Sequence, residues 1–524
     1  GNAVDAAVAT GFALAVVHPQ AGNLGGGGFM LIRMADGSTH FIDYRETAPA
    51  AATANMYLDA KGNVIPDASV LGYKSIAVPG SVAGLAYAQK KYGKLPLATV
   101  MQPAIKLARD GFVLSHFDGD DFRDSDLAKF PESRRVFQSD SARSNGYYEE
   151  SDLFKQPELA RTLERIAQDP DDFYHGTLAR ALAAAVQQGG GLVTEKDLAA
   201  YAVKERAVVT GSYRGYDIIT SPPPSSGGVM MLEALNILEP VPLHSMGDRS
   251  ADSIHWTVEA FRRAYMDRAE FLGDPDFVKV PVAQLLDKKY ADKWRESIDP
   301  VHPTPSALLK RPSFEDLDRT AHAAAPEHHE SPQTTHYSVV DEQGNAVAVT
   351  TTLNDIFGSH VTANGLGFLL NDEMDDFTSK PGVPNLYGLI QGTANAIAGG
   401  KRPLSSMTPT IVVKDNKPFL VLGSPGGSRI ITSVANFLMG VIDYGLNIQE
   451  AVDAPRFHHQ WMPDAIYMER VGFSPDTEHL LEQRGNKLQF LDSWSDGECI
   501  MIDPKTGERM GASDPRHGGR PAGY

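Results

Sequence analysis

Cysteine is almost missing from this chain: Cys499 is the only one in 524 residues, so no internal disulfide and no cysteine-based zinc site can form. That leaves the redox compartment open. Basic residues are also in deficit. Lys and Arg number 48 against 66 Asp and Glu, a net charge of −18, which repels phosphate backbones and anionic lipid at long range and excludes nucleic acid and membrane surfaces as expected partners. Long apolar runs are absent too. The opening stretch GNAVDAAVATGFALAVVHPQ stops at His18-Pro19, too short and alanine-rich to span a bilayer, and reads as a small-residue core helix. It starts in mid-pattern with neither Met nor a charged leader, so an upstream segment is expected to be missing. Nucleotide-loop and metalloprotease signatures are lacking. Gly25 to Gly28 and Gly426-Gly427 do not fit GxGxxG, and neither GxxxxGK[ST] nor HExxH occurs, so no cofactor and no metal are expected.

What is present is globular in composition: 42% hydrophobic and 22% charged residues in a chain long enough to bury a large core. FMLIRM and THFIDYRE are strand-like runs, and VPGSVAGLAYAQKKYG is a helix opened by Pro and Gly. From Pro157 to Ile298 helical periodicity dominates, in ELARTLERIA, LARALAAAVQQ and SIHWTVEAFRRAYMDRAEFLG, broken by a strand pair around VVTGSYRGYDIIT. Pro303 to Gln333 has no apolar period and reads as exposed or mobile. Strands follow: THYSVVD and AVAVTTTLN form a predicted hairpin about Glu342 to Asn345, and TPTIVVKDNKPFLVLGSP another about Asp415-Asn416. IITSVANFLMGVIDY reads as a buried helix.

Thr334 stands where the polar segment meets a strand, and taken alone a Thr there is simply a β-former. The neighbouring motifs change its meaning. TTHYSVVD, GNAVAVT, LLNDEMDDF, KRPLSSM and GSPGGSRI, with GNAVDAAVAT, GGGGFM, DYRETAP and SPPPSSGG upstream, resemble in order the motifs of the gamma-glutamyltransferases, a family of N-terminal nucleophile hydrolases. The resemblance covers nearly the whole chain. It implies an α+β fold, the four-layer αββα sandwich, with a large fragment 1–333 and a small fragment 334–524 interleaved as a heterodimer cut from one precursor. It also implies a periplasmic or secreted enzyme acting on glutathione and other gamma-glutamyl amides, with water, amino acids or peptides as acceptors.

The chemistry explains the placement. A hydroxyl needs a base within hydrogen-bond reach. Cutting the bond before Thr334 frees an α-amine of pKa about 7.7–8.0 that can be that base. Thr352, on the return strand, is positioned to hydrogen-bond Thr334. Gly426 and Gly427, between a strand and a helix, offer backbone N–H groups for the tetrahedral oxyanion. By motif position Arg45, Ser405 and Ser406 are expected to take the substrate α-carboxylate, and Asn354, Glu373 and Asp376 its ammonium. Family members carry either Gln or Glu at the place of Glu373. PGVPNLYGLIQG, residues 381–392, resembles a lid loop with Tyr387 as its gating aromatic. His322, His328, His329 and His336 cluster near Thr334 and read as solvated linker histidines. Two rival readings remain, a glutaryl (cephalosporin) acylase on the same scaffold and a non-maturing binding protein for glutamyl compounds.

Overall fold

The structure, a computed structural model, describes residues 1–138, 145–313 and 334–523. In chain order its main strands are β1 (Gly27–Arg33), β2 (Thr39–Asp43), β3 (Lys204–Arg206), β4 (Val209–Tyr213), β5 (Tyr216–Thr220), β6 (Thr335–Val340), β7 (Ala346–Thr352), β8 (Thr410–Lys414), β9 (Lys417–Leu422), β10 (Glu498–Ile502) and β11 (Arg509–Ser513). They build a five-stranded sheet in the order β3-β2-β1-β7-β6 and a six-stranded sheet in the order β11-β10-β9-β8-β5-β4. Both sheets draw strands from before and after Thr334, so neither of these two sheets is complete within one part of the chain.

Helices α1 (Ala3–Val17), α2 (Ser81–Tyr92), α3 (Gln102–Asp110), α4 (Pro157–Gln168) and α5 (Thr177–Gln188) cover the outer face of the first sheet. Helices α6 (Gly227–Leu238), α7 (Ala251–Phe271) and α8 (Ile430–Ile442) cover the second. The result is the αββα sandwich. Its cause is visible in β1, which is buried along its whole length. Successive side chains leave a strand on opposite faces. Phe29 and Leu31 therefore enter the core shared with the second sheet, and Met30 and Ile32 enter the core beneath α1 to α5. Helix α1 is the small-residue core helix that its sequence predicts, capped by Asn2 with a reciprocal bond from Asp5. The predicted hairpins form. Asp415 and Asn416 both take positive φ, 49° and 58°, the geometry a two-residue hairpin turn demands. Among the described residues no helix is long and apolar enough to cross a membrane.

Two expectations are corrected. The stretch from Pro303 is not uniformly exposed: Ser306 and Leu309 are buried, and Arg311 pairs with Asp267 and Glu270 of α7 while lying over the Phe271 ring. Charge partners on a distant helix hold what looked like linker. The rest of that stretch, with His322, His328 and His329, lies outside the described residues. His336 is not solvated. It is buried on β6, bonded to Thr350 Oγ1 at 2.9 Å and Ser338 Oγ at 3.1 Å. Its ring fits because residue 423 is glycine, where a Cβ would fall 2.0 Å from the imidazole.

Burial pulls the His336 pKa down to about 3. The folded state therefore holds it neutral while the unfolded chain protonates it below its ordinary 6.5, so its share of stability is complete above that pH and is lost as pH falls. At about 1.4 kcal/mol per pH unit, roughly 3 kcal/mol is lost by about pH 4. The fall in thermal midpoint over that range is expected to be smaller in His336→Gln than in wild type. Identical pH slopes for the two proteins would contradict this.

Candidate active site

The β6/β7 hairpin sets the centre of the site. Thr335 pairs with Thr351 and Gly27 with Thr352, so Thr334, one step before β6, lies across from Thr352 at the end of β7. Their hydroxyls are 3.1 Å apart. The Asn354 N–H donates to Thr352 Oγ1 at 2.9 Å, which fixes that oxygen beside Thr334. The chain then bends sharply. Asn354 has φ 86°, a left-handed conformation that Asn tolerates better than most residues. Its side chain donates to Asp372 Oδ2 at 3.0 Å, and its carbonyl accepts from the Tyr387 hydroxyl at 2.7 Å.

Arg45 follows β2 and is fully buried. Its backbone N–H is held by Asp43 Oδ1 at 3.0 Å. One guanidinium nitrogen pairs with Glu373 and another with Asp376, and Glu46 stands 3.6 Å away. Burial disfavours the charge on Arg45, but Glu373, Asp376 and Glu46 outweigh it and raise its pKa. The carboxyl pKa values rise as well, which for them disfavours the charged form. Burial, with Arg45 opposing, pushes Glu46 up to about 7 and raises Glu373 further, with Glu46, Asp376 and Asp372 adding to the shift. Burial also lifts Asp375 to about 6. A single guanidinium thus faces several carboxyl groups that share its charge. Such a pair of adjacent cationic and anionic surfaces matches a zwitterion's two ends.

Ser405 and Ser406 close a third side. Ser405 is fixed from the other segment, its N–H donating to Pro224 O at 2.9 Å and its carbonyl accepting from Ser226 N at 2.7 Å. The 381–392 loop reaches the site through Tyr387. Asp375 accepts from Leu386 N at 2.9 Å, and Gln460 donates to Tyr387 O at 3.1 Å. Tyr387 itself is buried. Gly426 and Gly427 adopt φ 130° and 54° and lead through a short turn into α8. A Cβ on Gly427 would stand 2.3 Å from the Tyr387 ring. Among the described residues neither glycine N–H is given to a protein acceptor.

A small cavity of about 20 Å³ is lined by Arg45, Thr334, Thr352, Asn354, Glu373, Asp376, Tyr387, Ser405, Ser406 and Gly427. All of these were singled out in the sequence. Gly426 sits one step behind, where a Cβ would fall 2.4 Å from Ser495 Oγ. Met407 and Ile430 also line the space, and Glu46 stands behind Arg45. The sequence offers no signal for the first two beyond adjacency to Ser406 and to the glycine turn. Glu46 adjoins Arg45 in DYRETAP, its one local signal.

A family model described as gamma-glutamyltranspeptidase matches residues 1–524. The glutathione hydrolase proenzyme of Escherichia coli K12 is 51% identical over 520 residues, 98% of this chain and 87% of that protein. A cephalosporin acylase from Bacillus halodurans superposes with a TM-score of 0.82 at 27% identity, covering 98% of this chain and 90% of the other. A Helicobacter pylori gamma-glutamyltranspeptidase chain superposes at 0.58 with 43% identity, covering 61% of this chain and 92% of its own.

The loop at the cavity depends on the Tyr387 hydroxyl. Tyr387→Phe removes one buried bond worth about 1 kcal/mol, so local opening and amide exchange at Leu386 to Leu389 should accelerate roughly fivefold. Hydrogen-exchange mass spectrometry measures this, and unchanged exchange would separate the hydroxyl from closure.

Proposed function

This chain belongs to the gamma-glutamyltranspeptidase family, as a gamma-glutamyl hydrolase/transferase, and we propose that it works through a gamma-glutamyl ester on Thr334 after cleaving itself between Gln333 and Thr334. The observation that carries this reading is the contact of the Thr334 and Thr352 hydroxyls in a cavity whose other walls are Arg45, two acidic side chains, two serines and a glycine turn.

Thr334 Oγ attacks the gamma-carbonyl carbon and its proton passes to the freed Thr334 α-amine, whose ordinary pKa is about 7.7–8.0. The oxyanion that forms is met by the N–H groups of Gly426 and Gly427. Collapse breaks the C–N bond, and the leaving amine takes the proton back from the ammonium of Thr334. Water, deprotonated by the same amine, then attacks the ester to release glutamate, or an acceptor amine attacks to form a new gamma-glutamyl amide. Arg45, Ser405 and Ser406 take the α-carboxylate, while Glu373, Asp376 and Asn354 take the ammonium. Tyr387 covers the site while the ester stands. The product of self-cleavage is a heterodimer of fragments 1–333 and 334–524, a reading supported by proenzyme relatives and by the interleaved sheets. We also assign the enzyme to the periplasm or the cell exterior on family resemblance; cell fractionation tests this.

Two experiments bear on the proposal. Wild-type protein should yield a fragment with Thr334 at its N-terminus, and Thr334→Ala should stay one chain. A wild type without that N-terminus would remove the mechanism.

The second separates this chemistry from glutaryl transfer. A glutaryl group lacks the ammonium and would forfeit its charge-assisted contacts with Glu373, Asp376 and Asn354, leaving Arg45 as the cation that Glu373 and Asp376 share, at about 1.5–3 kcal/mol for each lost contact to a charged group. Gamma-glutamyl amides should therefore exceed matched glutaryl amides by at least roughly 100-fold in kcat/KM. Asp376→Asn should narrow that gap. Comparable wild-type rates on the two amides would favour the acylase reading.

A further inference from the structure

Helix α7 carries several buried arginines, and most are neutralised in place. Arg262 and Arg263 both pair with Glu259, at 2.9 and 2.7 Å. Arg268, further along the helix, is different. It is 1% exposed, and among the described residues its guanidinium meets hydroxyls rather than a carboxylate. Nε donates to Ser226 Oγ at 2.9 Å and Nη2 to Ser406 Oγ at 3.2 Å. Nη1 is buried without a partner. Burial lowers its pKa to about 10, with Tyr265 and Asp376 opposing, so it remains a cation at neutral pH. A buried cation without a counter-ion is strongly disfavoured unless something supplies the opposite charge.

Its two hydroxyl partners say where that charge arrives. Ser226 Oγ donates to the Ser405 carbonyl at 2.7 Å, so Arg268 braces Ser405 through one intermediate. Ser406 Oγ accepts from Arg268, and Ser405 Oγ accepts from Met407 N at 3.0 Å. With a lone pair of each hydroxyl engaged from behind, the protons of Ser405 and Ser406 are left to donate into the cavity that both residues line. Donors backed by a buried positive charge suit an anionic oxygen.

We propose that Arg268 is a positioning and specificity residue: it orients Ser405 and Ser406 as donors and supplies the standing positive charge that favours the α-carboxylate of the gamma-glutamyl group. The inference rests on the gamma-glutamyl reading of the pocket. It also gives the SPPPSSGG segment a task, since Ser226 links Arg268 to the pocket serines.

The test compares a gamma-glutamyl anilide with the same anilide carrying a carboxamide in place of the α-carboxylate. In Arg268→Met the KM for the carboxylate substrate should rise at least about tenfold with kcat changed less than about threefold, and the preference for carboxylate over carboxamide should fall by a similar factor. Equal losses on both substrates, or an unchanged KM, would overturn the proposal. Should Arg268→Met fail to fold, Arg268→Lys decides: it keeps the charge but cannot span both hydroxyls, so KM should rise at least about threefold while carboxylate preference persists. An unchanged KM in the Lys variant, or a preference that disappears, would overturn it equally. If wild type itself shows no preference for gamma-glutamyl over glutaryl amides, the underlying reading fails. If wild type shows that preference and the Arg268 variants behave as wild type, only the role of Arg268 fails.

Discussion

The site depends first on the pairing of one strand. β7 lies between β1 and β6, so its last residue, Thr352, is bound to Gly27 on one side and faces the start of β6 on the other. A shift of one residue in that register would send Thr352 to the opposite face of the sheet and part it from Thr334. The same ladder aims the chain beyond Thr352 into the left-handed turn at Asn354, and that turn carries the contacts to Asp372 and Tyr387. Because β1 comes from one side of Thr334 and β6 and β7 from the other, a cut before Thr334 would leave the hairpin held by its neighbours.

Electrostatics then divides the cavity. Arg45 lies among Glu46, Glu373 and Asp376, an arrangement in which the acidic side chains exceed the cation and burial raises the pKa of Glu46 and Glu373. A neighbouring wall carries the reverse imbalance, with Arg268 behind Ser406 and, among the described residues, paired with hydroxyls rather than a carboxylate. Buried charges of both kinds are unfavourable singly. On the reading proposed above, their juxtaposition would favour a molecule bearing both an ammonium and a carboxylate over one bearing either alone. A neighbour of the same fold is named a cephalosporin acylase, so the fold by itself does not decide which amide is cut.

Much of this was legible in the sequence because it is local. The alternation in FMLIRM and AVAVTTT, the Asp415-Asn416 turn and the run of motifs around Thr334 all lie within short windows. What escaped is what depends on distant partners. His336 looks like a linker residue until Gly423 makes room for its ring. Arg311 looks solvated until Asp267 and Glu270 present themselves from α7. Arg268 sits in a helix that is buried on nearly every side, and nothing near it in the sequence reveals that Ser226 and Ser406 converge on it. Glu46 had a local signal beside Arg45, but its importance comes from Glu373, which only the fold brings near.

The central claim is that Thr334 becomes acylated. The direct measurement is rapid acid quench during turnover of a gamma-glutamyl amide, followed by mass spectrometry of the peptide that begins at Thr334. The account predicts that this peptide gains the mass of one gamma-glutamyl group, on Thr334, and that the increment disappears when hydrolysis is allowed to finish. A steady-state enzyme that turns over while this peptide keeps its unmodified mass, with the increment found on another residue, would contradict it.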